Sequence, residues 1–222
     1  MKRDTPVKSR PLEAPRKGKL RENIEALVIA IILALFIRVF VVQAFTIPSG
    51  SMKNTLLIGD YIMVNKFIFG IKVPFTQITA IPIKNPQKGD IVVFRYPLDP
   101  SKDFIKRVVA VAGDTVEIRR KKVYINGKPQ ESEFAVHSDW RTYSNPRKSP
   151  QSFIMRDNLA PKKIPEGKLF VMGDNRDESN DSRFWGLVDL SAVRGKAFMI
   201  YWSWDNHKKF GVRWERLGDF IH

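Results

Sequence analysis

The sequence contains no cysteine, which excludes disulfide scaffolds, thiolate zinc sites, iron–sulfur clusters and cysteine nucleophiles. The redox compartment stays open, because an extracytoplasmic domain can do without disulfides. Histidine is scarce, with only His137, His207 and His222. The first lies in a polar stretch and the others follow the last strand-like run, so a histidine-based triad fits poorly. Acidic residues are in deficit, 23 against 38 Lys and Arg, for a formal net charge of +15. That excess predicts anionic partners without choosing between nucleic acid and lipid. At 43% hydrophobic and 11% aromatic, the 222 residues are too apolar for disorder and suit one globular domain with an appendage.

What is present begins with charge. Residues 1–22 carry eight basic and three acidic residues, with prolines at 6, 11 and 15 and no apolar period, and predict a flexible basic head. In Ala26–Phe45, 18 of 20 residues are apolar. Twenty helical residues would span about 30 Å, the thickness of bilayer hydrocarbon. The uninterrupted run, Ala26–Ile37, is only 12 residues, and Arg38 then breaks it. The Leu, Ile, Val and Phe side chains favour insertion by about 4–8 kcal/mol in total. An arginine opposes it by about 2.5–3.5 kcal/mol at the centre and by less near an end. Insertion wins. No small-x-small cleavage site follows, so residues 23–45 are expected to be an uncleaved transmembrane signal anchor. The basic head would stay cytoplasmic and residues 46–222 would lie outside.

Residues 46–222 read as short β runs between turn signals: Tyr61–Val64, Asp90–Phe94, Lys106–Val111, Thr115–Ile118, Lys122–Ile125, Leu169–Met172 and Ala197–Tyr201. Gly113-Asp114, Asn126-Gly127 and Gly173-Asp174 punctuate them, and Val-Tyr-Ile-Asn-Gly-Lys predicts a hairpin. Long helical periodicity is absent, so the fold class is mostly β, with several antiparallel sheets behind the anchor. Residues 131–165, polar and rich in Pro, Ser and Asn, predict a surface insertion. The apolar stretch Phe67–Phe75 is either a core hairpin or a patch at the bilayer interface with Trp202 and Trp204.

Three polar segments could hold chemistry. In Thr46–Thr55, Pro48 and Gly50 set a turn with Ser49 and Ser51 on either side of the glycine. Lys106-Arg107 opens an apolar strand. The loop Gly173–Arg183 has four acids, but it lacks glycine at the sixth position of a calcium loop and has Trp185 at the twelfth. A serine can be activated by a lysine kept neutral by burial, with a second hydroxyl aiming the amine. Ser51, Lys106 and Ser179 could fill those roles, although spacing alone does not establish it.

PSGSM with TLLIGDYIMVNKF, then KGDIVVF, FIKRVVAVAGD and EGKLFVMGDNRDESNDSRFWGLV, in that order, resemble the successive motif boxes of the bacterial type I signal peptidases. The likeness covers most of residues 45–200. It implies a membrane-bound endopeptidase that removes signal peptides from exported preproteins, with a Ser/Lys dyad on a β-rich fold. By that resemblance Ser51 is the nucleophile, Lys106 the general base and Ser49 an oxyanion donor beside the Ser51 backbone N–H. Ser179 would hydrogen-bond Lys106, and Asp181 and Arg183 would hold their loop as an ion pair. Arg107 and Asp174 would support the site. Ile47, Pro48, Phe104 and Ile105 would shape shallow pockets for small side chains, the Ala-x-Ala pattern of signal-peptide ends. The expected partners are preproteins and the phospholipid bilayer of the bacterial inner membrane, with no nucleic acid, metal or cofactor. A self-cleaving repressor-type protease, or an anchored protein gripping anionic lipid or nucleic acid, are the competing readings. The oligomeric state is left open.

Overall fold

The computed structural model describes residues 19–36, 41–72, 79–205, 208 and 210–222. The chain divides into two units, one ending at Ile37 and one running from Arg38 to His222. The first contains helix α1 (Lys19–Phe36). It opens on charged residues, with Arg21 Nε donating to Glu25 at 3.0 Å. Farther along, Leu27, Val28, Ile29, Ile31, Ile32 and Leu33 are each 48–64% exposed. Successive positions on a helix point in different directions, so apolar side chains are exposed around its circumference.

Among the described residues, no helix is long and apolar enough to cross a membrane. Two boundaries differ from the expectation. The helix starts at Lys19, inside the segment read as flexible head. The end of the expected span is not helical, because Val42–Thr46 form strand β1. Beyond Arg38 the composition favours β-branched residues, and pairing with the neighbouring strand satisfies the backbone better than one more helical turn would. Residues 37–40, and the 1–18 part of the head, lie outside the described residues.

In the second unit β1 is followed by β2 (Asp60–Asn65), β3 (Gly70–Lys72), β4 (Thr79–Pro82), β5 (Ile91–Tyr96), β6 (Asp99–Ala110), β7 (Thr115–Arg119), β8 (Lys122–Ile125) and β9 (Lys128–Pro129). Helix α2 (Gln151–Asp157), β10 (Leu159–Lys163), β11 (Lys168–Met172), helix α3 (Ser182–Trp185), β12 (Val188–Asp189), β13 (Val193–Ser203) and β14 (Asp219–Phe220) complete it. The main sheet runs β1-β2-β13-β5-β6-β11-β12, with β14 added on β13. A second sheet runs β10-β7-β8-β9, and β3 pairs with β4. All of these pairings are antiparallel. The mostly-β expectation with several antiparallel sheets therefore holds. At the expected hairpin, Asn126 and Gly127 both take positive φ, 52° and 77°, as a tight two-residue turn requires.

Strand β5 is buried on both faces. Ile91 and Val93 join a cluster with Ile47, Met52, Leu56, Ile62 and Ile200, while Val92 and Phe94 join Val108, Leu169 and Val171 on the other side. This two-residue alternation makes β5 the centre of the domain, and β6 beside it inherits a fixed position. Residues 131–165 are not wholly a surface insertion. Their second half supplies α2 and β10, and Arg156, Asp157 and Ile164 are buried. Their polarity suggested the surface, but charges can be buried when they pair: Arg156 Nε sits 2.7 Å from Asp157. Of Phe67–Phe75, Phe69 is core and Phe67 is 40% exposed; residues 73–75 lie outside the described residues.

Candidate active site

Two core anchors set Ser51. Ile47 hydrogen-bonds through its backbone to the turn before β2, N to Asp60 O at 2.8 Å and O from Gly59 N at 3.0 Å. Gly59 has φ +89°, and a side chain there would strike the Trp204 carbonyl, with a Cβ only 2.0 Å from that oxygen. Past Ile47, Ser49 is extended and Gly50–Met52 form a single 3-10 turn. Met52 is fully buried, which pulls Ser51 inward until only 9% of it is exposed.

Lys106 comes from β6, opposite Val92 of β5, and is 4% exposed. Its Nζ lies 2.8 Å from Ser51 Oγ and donates to its neighbour's carbonyl, Ile105 O, at 2.9 Å. Burial, aided by Arg183 and only partly offset by Asp181 and Asp174, lowers the Lys106 pKa to about 8. A neutral amine keeps one lone pair. With an N–H committed to Ile105 O, that lone pair is free to accept the Ser51 hydroxyl proton. The Ser51 hydroxyl and the Lys106 amine are therefore within proton-transfer distance. Neither His137 nor His222 hydrogen-bonds to either, and His207 lies outside the described residues.

Ser49 is exposed, and its Oγ is 3.5 Å from Ser51 Oγ. The expected bond from Ser179 to Lys106 is not formed. The Ser179 hydroxyl is buried without a hydrogen-bond partner, and the amine is engaged by Ser51 and Ile105. Asp181 and Arg183 do pair, at 2.8 Å and almost completely buried. Asp181 also accepts from Gly173 N at 3.1 Å, and Arg183 donates to the carbonyls of Arg156 and Arg176. Ile47, at 3% exposed, is core rather than pocket surface. That leaves exposed Pro48 and half-buried Phe104 and Ile105 near the dyad, with Lys106 Nζ 5.4 Å from the Phe104 ring centre.

The loop after β11 presses on the Ser51 turn. Asn175 donates from N to Ser51 O at 3.1 Å and from Nδ2 to Gly50 O at 3.2 Å. Gly173 permits this approach, since a Cβ there would come 2.4 Å from Ser51 O. Asp174 grips Arg107 with both oxygens, each at 2.8 Å, and accepts from Thr55 Oγ1 at 2.6 Å. One buried carboxylate thus joins the strand of Lys106 to the segment that follows Ser51. Sequence reasoning missed Thr55 and Asn175, although both sit inside the motif boxes. It also missed Arg216, which donates to Thr55 O at 2.9 Å and to Asp60 at 2.7 Å. Tyr96 escaped notice too; its ring stacks on Phe104 at 4.2 Å and 5°. Nothing local marks residues in the last strand-poor segment as partners of a turn far earlier in the chain.

Comparison with known proteins agrees with these motifs. The family model described as "Signal peptidase, peptidase S26" matches residues 20–202. Signal peptidase I of Pseudomonas aeruginosa is 40% identical over 200 residues, covering 79% of this chain and 70% of that protein. Signal peptidase I of Aquifex aeolicus is 35% identical, covering 83% and 85%. A probable signal peptidase I-1 of Synechocystis is 34% identical, covering 96% of this chain and 94% of its own.

Proposed function

Because the chain belongs to the signal peptidase family, peptidase S26, and is a serine-type peptidase, we propose that Ser51 and Lys106 form its catalytic dyad and cleave signal peptides after small residues of the Ala-x-Ala kind. The observation that carries the reading is the 2.8 Å separation of Ser51 Oγ from a buried lysine amine with a depressed pKa.

Neutral Lys106 removes the Ser51 proton as Oγ bonds to the scissile carbonyl carbon, giving a tetrahedral oxyanion. Ser49 Oγ–H and the Ser51 backbone N–H stabilise that charge. The resulting ammonium then gives its proton to the departing amine, the C–N bond breaks, and the signal peptide remains as an ester on Ser51. Lys106 next takes a proton from water, whose oxygen attacks the ester, and returns it to Ser51 Oγ as the carboxylic acid leaves and gives its remaining proton to solvent. Asp174, Arg107, Thr55, Asp181 and Arg183 act by position, and Asp174, Asp181 and Arg183 also through their fields on Lys106. They hold β6, the loop after β11 and the Ser51 turn in one frame. Pro48, Phe104 and Ile105 face the substrate, and the tight quarters favour small side chains.

The membrane completes the reading. The exposed apolar circumference of α1 is what a lipid-covered anchor needs, and Ser51 follows the apolar run by only six residues. Anchor, basic head inside and catalytic domain on the external face of the inner membrane then bring enzyme and membrane-held preprotein together in two dimensions. The test is cleavage of a preprotein by wild type and by Ser51→Ala. Wild type should release the mature chain and the variant should not, nor should it accept a mechanism-based acylating inhibitor. Labelling of the variant would remove Ser51 from the role.

A further inference from the structure

A cavity of about 580 Å³ opens beside Arg107, and neither Ser51 nor Lys106 lines it. Its walls include Val108 and Val109 of β6, Val123 of β8 and Phe134, whose ring lies 4.0 Å from the Arg107 guanidinium. Three cations reach it. Two are already matched, Lys88 by Asp114 at 3.2 Å and Arg107 by Asp174 at 2.8 Å. The third is not. Arg176 is 5% exposed, its buried Nε has no hydrogen-bond partner, and among the described residues no carboxylate lies within ion-pair distance of it. Burial, reinforced by Arg183 and Arg107 and opposed by Asp174 and Asp181, lowers its pKa to about 10, so it is charged at neutral pH, and those two carboxylates are already paired with Arg107 and Arg183. Glu131 and Glu133 line the rim, but both are exposed, where water weakens their field.

A buried, unpaired guanidinium is unfavourable unless something completes it. We propose that this cavity binds a small monocarboxylate with an apolar body, its carboxylate on Arg176 and its body against Val109, Val123 and Phe134. The volume falls within the range of small-molecule sites. The planar fork of arginine suits two coplanar oxygens, and the single unmatched positive charge suits a monoanion. A dianion would bring a second negative charge with no second free cation to offset it.

Calorimetric titration of the full chain in detergent micelles tests the site, with cyclohexanecarboxylate as the probe and neutral cyclohexanecarboxamide as its partner. The acid should bind saturably at one site, with the amide weaker by about tenfold or more, the value of a charge-assisted pair in a buried setting. Arg176→Met should weaken the acid by a similar factor and leave the amide unchanged. The acid–amide comparison in the wild type stands even if the variant does not fold. Equal binding of acid and amide, absence of saturable heat, or undiminished binding of the acid to folded Arg176→Met would each overturn the proposal.

Discussion

Lys106 and Lys121 are both largely withdrawn from water, yet they sit in opposite surroundings. The Lys106 amine meets a hydroxyl and a carbonyl at 2.8 and 2.9 Å and has no carboxylate at ion-pair distance among the described residues. Lys121, held by the tight turn between β7 and β8 with φ +72°, meets both oxygens of Asp177 at 2.9 and 3.1 Å and Asp157 at 4.0 Å. Asp177 in turn reaches Arg156 at 3.5 Å, so that region is a set of opposite charges, with His137, whose pKa burial lowers, at 3.6 Å. Residue type is the same in the two places, and Lys106 is the more deeply buried. Deeper burial with no carboxylate at ion-pair distance is what depresses the Lys106 pKa. Both regions border the loop that follows β11, which uses Asn175 on one side and Asp177 on the other.

The sharpest way to break the contrast is to make Lys106 behave as a permanent cation. Lys106→Arg keeps charge and most of the length but cannot shed a proton near neutrality. Turnover should fall by more than about 10³-fold at every accessible pH, while circular dichroism stays native. Retention of more than a few per cent of activity would make the lysine an electrostatic helper.

Opening the other region should act on stability instead. Asp177→Asn leaves Lys121 and Arg156 buried with one carboxylate fewer, and should lower unfolding free energy by about 3–5 kcal/mol in urea titrations. A loss under about 1 kcal/mol would mean that the cluster rearranges around the amide.

The reverse effect is expected at Lys106. The folded-state pKa of Lys106 is about 8 against 10.5 for a free lysine, so the folded protein binds a proton less readily than the unfolded chain does. Stability should therefore rise with pH between those values, and the group destabilises the fold most below pH 8. Lys106→Met removes that penalty, and at pH 7 should be more stable than wild type by up to about 3 kcal/mol. The gain should shrink as pH rises towards 10.5. Wild-type kcat/KM should fall on the acid side of about pH 8, as the base takes up its proton. A pH-independent difference in stability between the two proteins would refute the assignment of the depressed pKa to Lys106.

The mildest test concerns the loop shared by both regions. Gly173→Ala would place a methyl 2.4 Å from Ser51 O and 2.3 Å from Ser179 Oγ. Both lie well inside contact distance, so the Ser51 turn must give way by about 1 Å, and kcat should drop by about 10²-fold. An unchanged kcat would show that the turn tolerates displacement.

Most of the β architecture was legible because its strands carry their own punctuation. Asn126-Gly127 needs positive φ at both positions, and the alternation in Tyr61–Val64 and Thr115–Ile118 matches the pleat. The turn at Arg120-Lys121 also has positive φ, 49° and 72°, with no glycine or asparagine to announce it. Polarity misled at 151–164, since Arg156 and Asp157 stay buried through each other. Apolarity misled at Val42–Phe45, where a strand partner at Asn65–Ile62 outweighs helical continuation.

From sequence alone come the motif order, the serine, the lysine, the mostly-β class and the apolar run. All of these are written in residue type and short-range spacing. The tertiary structure alone decides that 55 positions of chain close to bring Lys106 Nζ to 2.8 Å from Ser51 Oγ. It decides too that Asp174 holds Arg107 rather than the lysine one residue before it, and that Ser179 is left without a partner. Those outcomes depend on which carboxylate the packed sheets bring to which cation, and a pKa follows from that distance and burial, neither of which a linear string contains.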